Sequence, residues 1–354
     1  MIRGFTAAAL AFACGAASAG DMLSVTYLKM VQPAPATLSN LDPIPEDLGL
    51  RGAELGLVEN QTTGRFLGQD YALEIVEVAE DDAPEAAARV ALQTSHALIL
   101  DGTPQQLLAI ADLPEAAGAV LFNVAAADVA LRSEACRGNL LHTLPSDAMI
   151  ADALSQFLVA KRWSKTAMVA GPRPEDQALA AAFEASLKKF GLKPGKRADW
   201  SFDADLRRSA SQEVPLFTQG LGDYDVLLVA DKLNDFARYV AFNTWVPRPL
   251  AGSEGLRPVA WGRAVEQWGA AQLQNRFRDL AGRDMGPVDY AAWAAMRALG
   301  EARTRTGSTD MAVLKAYLLS DAFELGGFKG QPLSFRAWNG QLRQPIPLVT
   351  ATAV

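Results

Sequence analysis

The residues that could carry out chemistry in this chain are few and widely spaced. It contains only two histidines, His96 and His142, and two cysteines, Cys14 and Cys136. Neither histidine accompanies a G-x-S-x-G nucleophile elbow, and no spacing of histidine and cysteine fits a zinc or copper site. Cys136 has no evident partner histidine or acid, so we expect a half-buried thiol rather than a nucleophile. The sequence therefore predicts no enzyme, with no catalytic residues, and no metal centre.

A cluster of carboxylates lies in residues 80–85, with the sequence EDDAPE. Asp82 stands three residues before Glu85, and Pro84 lies between them. This spacing is typical of a helix N-terminus, at which Asp82 would accept hydrogen bonds from backbone amides. The pair Asp81–Asp82 offers too few converging oxygens for a hard cation. We therefore predict a helix cap.

The glycines in residues 62–68, TTGRFLG, do not form a phosphate loop. The segment lacks G-x-x-x-x-G-K-[ST], and it precedes a predicted strand, whereas a phosphate loop follows a strand and opens a helix. The dinucleotide fingerprint G-x-G-x-x-G is also missing after the first predicted strand. We expect no cofactor.

Composition and the N-terminus indicate an exported globular protein. The chain has 354 residues, 50% of them hydrophobic, and a formal net charge of −7, which argues against nucleic acid and anionic membranes as partners. Residues 1–19 have the layout of a signal peptide cleaved after Ala19, too short and too rich in alanine to be a membrane anchor. Lipid attachment at Cys14 is an alternative, although its lipobox is poor. Cys136 would then be alone, so no intrachain disulfide forms, and the predicted compartment is the periplasm.

Strands and helices are predicted to alternate through two rounds of similar size. The predicted strands are 23–30, 71–78, 96–100, 118–124, 165–171, 224–231 and 248–252. Helical spacing follows Leu50 and Ser146, residues 233–242 also read as helical, and the chain after residue 270 turns helical before a hairpin with Asn339-Gly340 as a type I′ turn signal. Such alternation predicts an α/β fold, in which parallel sheets are covered by helices on both faces.

Four segments together resemble the type I periplasmic solute-binding proteins, close to the branched-chain amino-acid-binding family. They are residues 52–93 (GAELGLVENQ…ARVALQ), 140–171 (LLHTLPSDAM…TAMVAG), 288–302 (VDYAAWAAMRALGEA) and 328–340 (FKGQPLSFRAWNG). The resemblance implies two doubly wound Rossmann-like lobes joined by three crossovers, with lobe 1 formed by 20–143 plus 263–328 and lobe 2 by 144–262 plus 329–354. It also implies a monomer that closes on a small-molecule ligand and docks on the membrane permease of an ABC transporter.

The chain departs from the amino-acid binders in the loops that would hold the ligand. These loops read ILDGTPQQ, FNVAAAD and GPRPEDQA, without convincing donors for an α-carboxylate, so we expect a ligand other than a standard amino acid. Residues 35–71 and 136–154 more closely resemble a subfamily that accompanies pyrroloquinoline-quinone (PQQ)-dependent alcohol dehydrogenase systems. A periplasmic sensing module for a membrane signalling partner is the alternative function.

In open α/β sheets, ligands bind in the crevice at the carboxyl ends of the strands. The candidate ligand-binding residues at these ends are Gln32, Asp101, Gly102, Thr103, Asn123, Val124, Ala125, Arg173, Asp231 and Lys232, together with Trp261 near the second crossover. Structural alternatives remain for several of them: a turn for Asp101-Gly102, helix caps for Asn123 and Asp231, solvation for Arg173, and hinge packing for Trp261. Arg173 and Lys232 would favour an anionic ligand, whereas Asp101 and Asp231 would favour a cation or a polyol.

Overall fold

The computed structural model describes residues 22–35, 43–201, 206–234 and 236–350. The predicted signal peptide and Cys14 lie outside the described residues. The helices are α1 Leu50–Leu67, α2 Pro84–Ala91, α3 Pro104–Ala111, α4 Asp147–Lys161, α5 Pro174–Lys189, α6 Leu206–Gln219, α7 Ala237–Val240, α8 Ala270–Ala281, α9 Pro287–Thr306 and α10 Met311–Leu318. The strands are β1 Leu23–Met30, β2 Tyr71–Val78, β3 Ala97–Asp101, β4 Val120–Asn123, β5 Leu140–His142, β6 Thr166–Ala170, β7 Arg197–Asp199, β8 Val226–Ala230, β9 Leu250–Gly252, β10 Leu256–Pro258, β11 Leu325–Gly326, β12 Pro332–Phe335, β13 Leu342–Arg343 and β14 Leu348–Thr350.

The first sheet has the strand order β2-β1-β3-β4-β5, and every pair in it is parallel. Alternate residues of β1 point to opposite faces. Val25 and Tyr27 pack in one hydrophobic core, and Leu28 and Met30 pack in another. Because both faces are buried, the strands read as nearly continuous apolar runs.

The second sheet has the order β14-β10-β9-β8-β6-β7. It is parallel except for β14, which pairs antiparallel with β10 through Leu256 and Thr350. Its central strands β6 and β8 are buried along their whole length, with one core on each face. The predicted fold class, α/β with two doubly wound sheets, is confirmed.

Within the described ranges, the chain passes between the two sheets three times. The passages are residues 143–146 before α4, 259–269 before α8, and 344–347 between β13 and β14. After the second passage, α9 returns to the first sheet and packs closely on α1. A Cβ added at Gly52 would lie 1.9 Å from the carbonyl oxygen of Asp289, so only glycine permits this approach.

The lobe boundaries stay a proposal, and the packing favours one change to them. Leu333, Phe335 and Leu342 share a hydrophobic core with β1 and α9, although residues 329–354 were predicted to join lobe 2. Among the described residues after 328, only β14 pairs with the second sheet. This packing favours placing residues 329–343 with the first sheet.

The helix cap predicted at Asp82 is wrong. The N-cap of α2 is Ala83, which has extended backbone angles and receives no side-chain hydrogen bond. Pro84 is the first helical residue, and a proline forces the residue before it away from helical geometry. The helix therefore starts one residue later than the acidic spacing predicts.

Three further local predictions also need correction. His96 is exposed and precedes β3 rather than lying within a buried strand. The helix predicted over 233–242 is confined to the four residues of α7. The loop between β12 and β13 spans residues 336–341, because Phe335 pairs with Leu342, and is therefore longer than a two-residue type I′ turn. Asn339 also lacks the positive φ that a type I′ turn requires at both central residues.

Candidate functional site

The candidate residues lie at matching edges of the two sheets. Because β1, β3 and β4 are parallel and close together in the first sheet, their carboxyl ends place Gln32, Asp101–Thr103 and Asn123–Ala125 along one edge. In the second sheet, β6 and β8 are neighbours, so Arg173 and Asp231–Lys232 share the equivalent edge. The structure therefore collects the predicted residues in two groups, one at the edge of each sheet.

Asp101 is the acidic group at the end of β3. Its Oδ2 accepts a hydrogen bond of 3.0 Å from the hydroxyl of Tyr27 on β1. Burial raises the pKa of Asp101 to about 6, although the hydrogen bond from Tyr27 and the charge of Lys29 act in the opposite direction. Asp101 as a residue is half-buried at this edge of the sheet. The group changes charge in mildly acidic solution.

The neighbours of Asp101 are engaged at the start of α3. Thr103 is the N-cap of α3, and its Oγ1 accepts from the backbone N–H of Gln106 at 3.4 Å. The Gln106 Oε1 accepts from the Thr103 N–H at 2.9 Å and from the Gln32 side-chain amide at 3.0 Å. A Cβ at Gly102 would lie 2.3 Å from Cε of Met30. Gly102 has no side chain and the Thr103 hydroxyl is used by the helix cap, so these two residues offer mainly backbone groups to a ligand.

Asn123 is completely buried at the end of β4. Its Oδ1 accepts from the N–H groups of Ala125 and Ala126, at 3.1 and 2.9 Å. Its amide donates to the Ala126 carbonyl at 2.8 Å and to Nδ1 of His142 at 3.0 Å. These bonds account for Asn123 without a ligand. Val124 is also buried in the core, so of this group only the half-buried Ala125 reaches the surface.

His142 is the buried partner of Asn123 at the end of β5. Burial, and secondarily the charge of Arg132, lower the pKa of His142 to about 2. The ring is therefore neutral in ordinary conditions, which agrees with Nδ1 accepting a hydrogen bond from the Asn123 amide. A structural role for His142 fits this arrangement.

On the second sheet, the cation at the end of β8 is paired. The Lys232 Nζ lies 2.7 Å from Oδ2 of Asp147, the first residue of α4, and the lysine side chain is only 27% exposed. Burial raises the pKa of Asp147, and the charge of Lys232 partly offsets this increase. The backbone N–H of Lys232 donates to Oδ1 of Asp176 at 2.8 Å. The lysine is therefore neutralised by the protein itself.

Asp231 and Arg173 lie near the starts of helices α7 and α5. The Asp231 Oδ2 accepts from the N–H groups of Phe236 and Ala237, at 2.9 and 3.0 Å, and the carboxylate is fully buried. Arg173 is the N-cap residue of α5 and is half-buried. The contacts of Asp231 are those of the helix-cap alternative.

Trp261 lies in the core beside the second passage between the sheets rather than on an open surface. It is 2% exposed, stacks on Tyr290 with ring centroids 4.7 Å apart, and donates from Nε1 to Oε1 of Gln274 at 2.9 Å. The ammonium group of Lys329 also lies over the Tyr290 ring, with Nζ 4.3 Å from the ring centroid. These contacts are those of hinge packing.

Sequence reasoning missed three participants. Tyr27 lies in the middle of β1, where nothing in the local pattern separates it from a core aromatic. Asp147 and Asp176 were visible only as acidic residues near helix starts. Their burial and their contacts with Lys232 depend on the approach of α4, α5 and β8, which are distant in sequence.

Among the described residues, no helix is long and apolar enough to cross a membrane. The same residues contain no group of three or more histidine, cysteine, aspartate or glutamate side chains placed to hold a metal ion. Cys136 is half-buried and not in a disulfide.

No protein-family model and no curated protein sequence matches the chain. Solved structures do match it over nearly its whole length. A branched-chain amino acid ABC transporter periplasmic ligand-binding protein from Burkholderia xenovorans LB400 has a TM-score of 0.74 at 16% identity, covering 93% of this chain and 90% of its own. An ABC transporter substrate-binding protein from Sphaerobacter thermophilus has a TM-score of 0.73 at 14% identity, covering 94% and 97%.

A third structure is a leucine-, isoleucine-, valine-, threonine- and alanine-binding protein from Brucella ovis in its closed conformation. Its TM-score is 0.70 at 13% identity, and the match covers 94% of this chain and 91% of that one. The chain therefore has the type I periplasmic binding protein fold. All three structures are described as binding proteins.

Proposed function

We propose that the chain is the periplasmic substrate-binding component of an ABC transporter, which traps a small organic solute between its two sheets by hinge closure. The observation that carries the proposal is the pair of parallel sheets with candidate residues at their carboxyl ends, in a fold shared with solved binding proteins over more than nine-tenths of the chain. Three passages between the sheets are the natural hinge for such a movement. The membrane permease is the second partner, and the chain acts as a monomer.

The contacts at these edges favour an uncharged or cationic solute. Lys232 is neutralised by Asp147, so its ammonium group is not free to bind an anion. The first sheet offers Asp101 beside the small surfaces of Gly102 and Ala125. A carboxylate with small neighbours suits hydroxyl or amine groups of a compact ligand.

The finer proposal links this solute to PQQ-dependent alcohol oxidation. It rests on the resemblance of residues 35–71 and 136–154 to the subfamily that accompanies those systems. An alcohol or an aldehyde agrees better with the paired Lys232 than the quinone cofactor, which is a polyanion.

The test is thermal unfolding of residues 20–354 with a panel of alcohols, aldehydes, short carboxylates, amino acids and the quinone cofactor. A ligand at about 100 times its dissociation constant stabilises the folded state by roughly 2.7 kcal/mol, which raises the midpoint by a few degrees. We expect a shift with a neutral or cationic class. If no compound in the panel raises the midpoint, the proposed trapping of such solutes is wrong.

A matched pair of variants locates the binding. Ala125→Phe fills the carboxyl end of β4, whereas Ala117→Phe adds the same side chain to an exposed position before the amino end of that strand. We expect the thermal shift to disappear in the first variant and to persist in the second. Equal shifts in both would place the ligand elsewhere. A sensing module would give the same shifts, and co-purification with a permease rather than a signalling receptor separates the two functions.

A further inference from the structure

A second polar surface lies on the outer face of the small sheet β11-β12-β13. Leu333 and Phe335 of β12 are buried against the core, so Ser334 between them points to the opposite face. Arg343 is the register partner of Ser334 on β13, and directly opposed residues share a face. The outer face therefore carries polar groups over a buried apolar face.

The β13 side of this face is basic. Arg336 and Arg343 both line it, and among the residues that the structure describes neither has a carboxylate within 4.0 Å. Burial, and next the charge of Arg343, lower the pKa of Arg336. Asp152 is the acid whose charge acts on Arg336, and its carboxylate is already bound by Lys189 and Ser186. Two like charges are thus held together without a protein counter-ion.

The β11 side of the same face is acidic. Leu325 pairs with Leu333 on the buried face, so Glu324, one residue earlier, belongs to the outer face. Asp321 lines the same region. Neighbouring strands are about 5 Å apart, so the acidic and basic sides, two strands apart, are separated by roughly 10 Å.

These groups line one cavity of about 610 Å³. Its remaining polar lining comes from Gln331, Ser334 and Gln344, and Met149 of α4 also lines it. A cavity of this size accommodates a small organic molecule. Its opposite ends carry opposite charges.

The cavity is separate from the candidate site described above. A bridge between His142 and Gln341 attaches the β13 segment beyond β5, at the edge of the first sheet. Asp101 and Ala125 follow β3 and β4, on the other side of β5. A ligand here would bind beside the hinge rather than between the candidate residues.

We propose that this cavity is a second binding site for a small zwitterion, with its carboxylate on Arg336 and Arg343 and its ammonium group on Glu324 and Asp321. Guanidinium groups bind carboxylates through paired, charge-assisted hydrogen bonds, and carboxylates accept from an ammonium group. The site does not depend on the proposed transport function.

The test is isothermal titration calorimetry of residues 20–354 with 6-aminohexanoate, whose chain separates its two charges by a comparable distance. Hexanoate and hexylamine serve as half-probes. We expect binding of 6-aminohexanoate, and binding at least about tenfold weaker for each half-probe, because hydrogen bonds to a charged group are lost. If 6-aminohexanoate does not bind, or if hexanoate binds as tightly, the proposal is overturned.

Variants assign the binding to this cavity. Arg343→Gln and Glu324→Gln should each weaken the binding of 6-aminohexanoate by about tenfold. The control Arg65→Gln removes an exposed arginine from α1 and should leave the affinity unchanged. The Ala125→Phe variant, which blocks the other site, should also bind normally. An affinity that falls with Ala125→Phe and not with Arg343→Gln would place the probe at the candidate cleft and refute the second site.

Discussion

Replacement of Asp101 by asparagine tests the electrostatics at the end of β3. Burial raises the pKa of this carboxyl group from 3.8 to about 6. Between these two pH values the folded chain holds a proton that the unfolded chain has lost, so stability decreases as the pH rises. Below about pH 4 the group is protonated in both states, and the penalty disappears.

The size of the effect follows from the shift. About two pH units at roughly 1.4 kcal/mol each give a penalty of about 3 kcal/mol at neutral pH, as an upper limit for a half-buried group. Asparagine keeps an oxygen to accept from Tyr27 but has no charge to desolvate. The Asp101→Asn variant should therefore have the same free energy of unfolding as the parent chain at pH 4. At pH 7 its free energy of unfolding should be higher by up to about 3 kcal/mol.

The assay is urea unfolding of the ligand-free protein, followed by tryptophan fluorescence at several pH values from 4 to 7. The control Asp279→Asn removes an exposed carboxylate from α8 without touching this site. A difference between Asp101→Asn and the parent chain that stays constant from pH 4 to 7 would refute the reasoning. So would a variant that is less stable than the parent at pH 7.

Three further substitutions test the surroundings of the site. Lys232→Met leaves Asp147 buried without its cation and should lower the free energy of unfolding in urea by up to about 3 kcal/mol. Adding Asp147→Asn should recover most of this loss, and an unchanged midpoint in Lys232→Met would contradict the pairing. Lys329 is buried and its pKa is lowered well below 10.5, so the parent chain should gain stability as the pH rises toward 10.5, by up to about 1.4 kcal/mol per pH unit; Lys329→Met should remove this slope, and parallel curves would refute it. Trp261→Ala should cost about 3–5 kcal/mol through the lost core volume, whereas a loss of ligand affinity at unchanged stability would return Trp261 to the binding surface.

Much of the fold is readable from local sequence. The strands β1 and β2 have the predicted bounds, because eight-residue runs that contain β-branched and aromatic residues fit a pleated sheet surface. Long helices such as α9 are predicted for the same reason, since their apolar spacing extends over many turns. The predictions for short elements are wrong more often. Four residues of helix in α7, or the cap of α2, depend on a single proline or on a few contacts that periodicity does not record.

The candidate site divides in the same way. Topology rules locate the edge of each sheet at which a ligand binds, so residue positions such as 101, 125 and 232 follow from the order of strands. The state of each side chain does not follow. Whether Lys232 is free for a ligand depends on Asp147, 85 positions away in the chain. No helix begins directly after Asn123, so the cap predicted there is wrong, and its oxygen binds the amides of a turn instead. Asp231 binds the amides at the start of α7, which is a property of the folded backbone.

The sequence by itself determined the class of this protein: an α/β chain with two rounds of parallel strands, a net negative charge, and no set of residues suited to catalysis. These are properties of composition and of patterns a few residues long, and each segment carries them independently. Only the tertiary structure decided which charges are paired, which polar groups are buried and which faces form cavities. Those features arise where distant segments meet, as Tyr27 meets Asp101 or as Glu324 and Arg343 come to share one face of a sheet. Burial and distance set their free energies, and neither is a property of one segment alone.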